Sequence, residues 1–130
     1  MKSRLRLMVI LGLVVMSGWE VPAQTPATGR LMRLKLAHSQ KILEAILTSD
    51  FALLDRESSA LAQATKSPAW SVLYSPEYNR QSGAFLRAID DLRDAANGMD
   101  LDGAASSYMS LTLTCFQCHR YMKSKRIAAR

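Results

Sequence analysis

Two cysteines and two histidines are all that 130 residues offer for soft-metal or thiol chemistry, so any such chemistry must run through very few side chains. There is no Ser/His/Asp set, no Gly-rich phosphate loop and no paired-carboxylate arrangement of the kind that hydrolases and kinases need. Asp90-Asp91 reads as a solvated face, and Asp100 or Asp102 as a helix cap. No segment sustains the apolar/polar alternation of a strand, which argues against a sheet. No apolar run approaches the roughly 20 residues needed to cross a bilayer. Internal repeats and low-complexity tracts are also missing. What remains is ordinary globular composition, 48% hydrophobic and 22% charged, enough for one domain.

The N-terminus reads as a targeting segment. Lys2, Arg4 and Arg6 precede the apolar stretch Leu7 to Met16, interrupted only by Gly12. Val21-Pro22-Ala23 then suits cleavage after Ala23. Residues 1–23 are thus expected to be a signal peptide and 24–130 the working domain, not membrane-spanning after processing. Export to the bacterial periplasm follows, a compartment in which disulfides persist. Removing Lys2, Arg4, Arg6 and Glu20 lowers the net charge from +6 to about +4. The remaining excess lies at Arg120, Lys123, Lys125, Arg126 and Arg130. An exported chain without aromatic interleaving points away from nucleic acid. A helix end favoured by the macrodipole, or a docking surface for an acidic partner, accounts for it better.

Apolar spacing predicts four helices. After a leader at Thr25 to Gly29, the first carries Leu31, Met32, Leu34, Leu36, Ile42, Leu43, Ile46 and Leu47 and ends near Thr48. Ser49 or Asp50 caps the second, with Phe51, Leu54, Ser58, Leu61 and Ala62 inward, ending near Thr65. Ser67-Pro68 breaks the pattern, and Trp70, Val72, Leu73 and Tyr74 form an apolar loop. Pro76 starts the third at the helix position that best tolerates proline. Phe85, Leu86, Ile89, Leu92 and Ala96 face inward, and Asn97-Gly98 supplies a left-handed stop. Asp100 or Asp102 caps the fourth, which continues through Ala104, Tyr108, Leu111, Cys115, Cys118 and Met122 to about Lys125. Short connections favour antiparallel neighbours, so the expected fold is all-α, an up-down-up-down four-helix bundle.

The chemistry concentrates in Cys115-Phe116-Gln117-Cys118-His119 on the last helix. This is the spacing of c-type haem attachment, in which two thiols hold the macrocycle and the adjacent imidazole reaches the iron. A thioredoxin-like pair would need a preceding strand. A structural zinc site would need a fourth ligand, for which only His38 or a carboxylate is left. A plain Cys115–Cys118 disulfide would leave His119 without a reason. Leu111, Cys115, Cys118 and Met122 recur every three or four residues, along one side of the helix. Phe116, Gln117, Tyr108, Phe85 and Trp70 are candidates for nearby contact.

With Leu31-Met32-Arg33, Leu43-Glu44-Ala45-Ile46, the break around Trp70 and the Cys115 to His119 motif, the chain resembles the class II cytochromes c. These include cytochrome c′ and its low-spin relatives, and the resemblance covers most of the mature length. It implies an exported four-helix bundle with one covalently attached haem c, bound through Cys115 and Cys118, with His119 as proximal iron ligand. In low-spin members a methionine on the first helix is the sixth ligand, as suits electron transfer between redox partner proteins. In the cytochromes c′ an apolar residue stands there and the iron takes nitric oxide or carbon monoxide. Alignment from Leu43 backwards puts this position at Met32 or Arg33, and Met32 can ligate iron where arginine cannot. The alternatives are Met32 as a flexible core filler with Leu36 over the iron, and His38, nearly two turns further on. Lys123 stands where many members carry an arginine, keeping the charge without the planar fork. The function expected is electron carriage without substrate turnover, so not an enzyme. The alternative is five-coordinate gas binding, and the resemblance allows a homodimer through the first two helices.

Overall fold

The computed structural model describes residues 26–128, so the signal segment, its cleavage point and Arg130 lie outside the described residues. Four helices form: α1 (Pro26–Leu47), α2 (Phe51–Ala64), α3 (Pro76–Asn97) and α4 (Leu101–Ala128). No strand occurs among the described residues, and the all-helical architecture is compatible with a four-helix bundle. Each helix neighbours the next, and α1 meets α4 along a seam where the two approach least closely. No helix is long and apolar enough to cross a membrane among the described residues.

Of the stretch expected as a leader, Pro26 to Gly29 form the first turn of α1, and Thr25 lies outside the described residues. Proline at position 26 has the fixed φ that opens a helix and no N–H to leave unpaired there. The α1–α2 and α3–α4 joints share one design. Ser49 and Met99 adopt left-handed φ values of 54° and 51°. Their amides bond back to Ile46 and Ala96, and the next amides, of Asp50 and Asp100, reach Ala45 and Ala95 at 2.8 and 2.9 Å. This is the Schellman arrangement that satisfies a helix's last carbonyls. The same aspartates then start the next helix, each Oδ1 accepting from the amide three residues on, at 2.9 Å from Leu53 and Gly103. The expected left-handed stop at Asn97-Gly98 is therefore corrected: Asn97 is the last helical residue and Gly98 keeps φ −81°. The reversal falls on Met99 because the capping aspartate fixes which residue must turn.

The core comprises Ile42, Ala45, Ile46, Leu54, Leu61, Phe85, Ala88, Ile89, Leu92, Ala95, Ala96, Ala104 and Leu111. Burying a residue of the size of Leu or Ile contributes about 1.5–3 kcal/mol. The inward face of α3 is as expected except Leu86, which is exposed. It follows Phe85 by one residue and so sits about 100° further round the helix. On α2, Phe51 and Ala62 are only partly buried, and Glu57 and Ala64 are buried instead. On α1, Leu34, Leu36, Leu43 and Leu47 are exposed, because α1 carries more apolar residues than one packed stripe can cover.

The segment between α2 and α3 is anchored mainly at Trp70, whose Nε1 donates to Ser82 Oγ at 3.2 Å. The Trp70 carbonyl accepts from the Tyr78 hydroxyl, and its ring lies 5.1 Å from that of Phe85. Ser75 Oγ accepts from the Tyr78 amide at 3.1 Å and pairs with the Tyr121 hydroxyl of α4 at 2.9 Å. Of the expected apolar loop, Val72 and Tyr74 are exposed, Tyr74 at 93%.

Candidate functional site

Between α1 and α4 the seam opens into a cavity of about 450 Å³, within the range of small-molecule and cofactor sites. α1 contributes Met32, Arg33, Lys35, Leu36 and Ser39, and α4 contributes Tyr108, Leu111, Thr112, Cys115 and His119; Leu61 and Phe85 complete the lining. The α1 residues Met32, Lys35, Leu36 and Ser39 follow an i, i+3, i+4, i+7 pattern, one face of a helix. The α4 residues Tyr108, Leu111, Thr112, Cys115 and His119 do the same. Ser39 Oγ donates to the Tyr108 hydroxyl at 3.4 Å, linking the two walls.

Three of the four residues singled out in the sequence meet here. Met32 and Cys115 are half-buried, and His119 is exposed. Cys118 is half-buried on α4 but outside the lining, as is Met122. Of the expected stripe only Leu111 is fully buried. Both thiols are free. Burial pushes the Cys115 thiol up from its ordinary range, opposed by the charge of Lys35. The Cys118 thiol is pushed up chiefly by burial too, again opposed by Lys35. Burial, then the Lys35 charge, lowers the His119 imidazole; a neutral imidazole is the form that binds metal.

Lys35 is the residue that sequence reasoning missed. Its Nζ lies 4.2 Å from the Trp70 ring centroid and 4.3 Å from that of Phe85, within cation–π distance of both. Burial lowers its ammonium from the ordinary lysine range, partly countered by negative charge at Cys115 and Cys118. The available signal was its spacing from Met32, three residues along the same helical face.

His38 points elsewhere. Its Nδ1 is 2.7 Å from Oε2 of the buried Glu57 on α2, and it takes no part in the cavity lining. That hydrogen bond is the main reason the Glu57 carboxyl falls below its usual range. No group of three or more His, Cys, Asp or Glu residues is placed to hold a metal ion among the described residues, so the fourth ligand of a zinc site is not assembled.

A second hollow of about 420 Å³, between α3 and α4, is lined by Glu77, Arg80, Gln81, Gln117, Arg120, Tyr121 and Ser124. Its charges are largely internally matched: Glu77 accepts from Arg80 and Gln81 at 2.7 Å, and these bonds hold its carboxyl at about 2. The seam cavity differs in having largely apolar walls, a thioether and an imidazole in its lining, and a cation over aromatic rings. No family model, curated protein or solved structure matches the chain.

Proposed function

We propose that the chain is a periplasmic one-electron carrier of the class II cytochrome c kind, an antiparallel up-down-up-down bundle holding one haem c. Cys115 and Cys118 would bind the macrocycle as thioethers, with His119 the proximal iron ligand and Met32 the distal one. The observation that carries the reading is that Met32 on α1 and Cys115 and His119 on α4 line one largely apolar cavity. Residue chemistry fits the group: two free thiols at the attachment spacing, an imidazole whose neutral form burial favours, and a soft thioether on the other wall. Haem would supply an iron that cycles between ferric and ferrous, and the chain's part is to hold it, exclude water and dock redox partner proteins.

A second reading, a five-coordinate haem protein binding nitric oxide or carbon monoxide, is favoured by Leu36, which lines the same wall one turn from Met32. One experiment separates them. The full chain is produced in a host with periplasmic haem-attachment machinery, and spectra of the wild type and Met32→Ala are compared. Met32 ligation gives low-spin ferric protein that Met32→Ala converts to high-spin, with carbon monoxide binding the reduced variant well and the wild type poorly. The reason is competition at one position, where a tethered sulfur has a high effective concentration. A high-spin wild type with spectra unchanged in Met32→Ala assigns the site to gas binding. Protein without covalent haem in that host overturns both readings.

A further inference from the structure

Lys35 combines features that an ordinary surface lysine lacks. Its ammonium lies over two ring faces, and its side chain forms part of the cavity wall with Cys115 and His119. No carboxylate lies within ion-pair distance of it among the described residues, where the ion pairs are His38–Glu57, Arg56–Glu57, Arg80–Glu77 and Arg93–Asp55. A cation withdrawn from water and left without a counter-charge is costly unless something compensates, and the rings of Trp70 and Phe85 supply only part of that compensation. Arg33, the other cation of the lining, is exposed and its field is damped by water. The cavity wall therefore carries one partly desolvated positive charge that has no carboxylate partner among the described residues.

We infer that Lys35 is a positioning charge for the cavity's occupant, raising the reduction potential of the iron by disfavouring its more positive oxidation state. This rests on the reading of the cavity as a haem site. Ferric haem carries one positive charge more than ferrous haem, so a nearby fixed cation penalises the ferric form. The apolar walls keep the local dielectric low and the interaction strong. Trp70 and Phe85 hold the ammonium in place; they do not neutralise it.

The test is optical redox titration of the haem-loaded full chain as wild type, Lys35→Met, Lys35→Arg and Lys123→Met, at low and high salt. Lys35→Met should weaken one-electron reduction about tenfold, equivalent to a downward shift of about 59 mV. Lys35→Arg should stay near the wild type. Raising salt should leave the Lys35→Met difference largely in place, because a desolvated charge is poorly screened. Lys123 is exposed, so Lys123→Met should shift the potential little and lose that shift in salt. Should Lys35→Met fail to load haem, Lys35→Gln replaces it as the neutral variant. Equal potentials in the charged and neutral variants overturn the inference, as does an equal fall in Lys35→Arg, which assigns the effect to packing. Wild-type chain without covalent haem instead overturns the reading beneath it.

Discussion

Along α1 two regions behave in opposite ways. From Ile42 to Ile46 the helix belongs to a dry core shared with Ile89 and Leu92, both 0% exposed. From Met32 to Ser39 the same helix lines open space, and Leu36 is 59% exposed. Both stretches are apolar enough to pack, so composition does not separate them. The difference is what stands opposite: side chains of α2 and α3 share one cluster with the first stretch, while α4 makes few close approaches to α1. A close-packed interior tolerates few voids larger than water, so a cavity of this size stands apart from the well-packed core beside it.

The contrast is most directly broken by truncation. Ile89→Ala or Leu92→Ala should destabilise by about 2–5 kcal/mol through lost burial and a new cavity. Leu36→Ala in the haem-free chain should change stability by no more than about 0.5 kcal/mol, as for surface positions. Denaturant unfolding of the three variants measures both. Similar losses at all three positions would mean that the seam is packed and the contrast false.

Acid sharpens the boundary between the regions, where His38 and Glu57 join α1 to α2. The folded-state carboxyl of Glu57 lies below its ordinary value, chiefly through its hydrogen bond to His38. Its stabilisation is therefore fully present above the unfolded carboxyl's pKa and is lost as pH falls through the folded one. Thermal melts of wild type and Glu57→Gln should differ most at neutral pH and converge as the pH drops below the ordinary carboxylate range. A gap that persists unchanged in acid would remove ionisation as the cause.

The smallest effects belong to the joints, which flank the packed region. Asp50→Ala and Asp100→Ala should each cost about 1 kcal/mol by removing a cap. Ser49→Gly and Met99→Gly should stabilise by up to about 1 kcal/mol, since glycine accepts the left-handed φ without a Cβ clash. Matched melts of the four variants test whether the two joints are energetically as alike as their hydrogen bonds; losses on glycine substitution would deny the strain.

Much of this was legible along the chain. Asp50, Pro76 and Asp100 mark helix starts through short-range chemistry, and the recurrence of Leu54, Leu61, Phe85, Ile89, Leu92 and Leu111 shows the inward faces. The candidate site was legible to the extent that Cys115 and His119 of the local motif, and Met32 on the first helix, do line one cavity, while Cys118 does not. Lys35 was not, because a lysine on an amphipathic helix reads as solvated until the partners of its face are known. Leu34, Leu36, Leu43 and Leu47 misled for the converse reason: an apolar residue shows a capacity for burial, while burial also needs a neighbour.

The sequence by itself determined the four helices and the Cys-x-x-Cys-His spacing, and narrowed each N-cap of α2 and α4 to two candidates, since these depend on residues within a few positions of one another. Only the tertiary structure decided that Met32 and His119 line one cavity, that Trp70 and Phe85 cover Lys35, and that Cys118 stays outside the lining. Those outcomes depend on how helices distant in the chain fill the volume between them, and the period of one helix carries no information about the side chains that another brings against it.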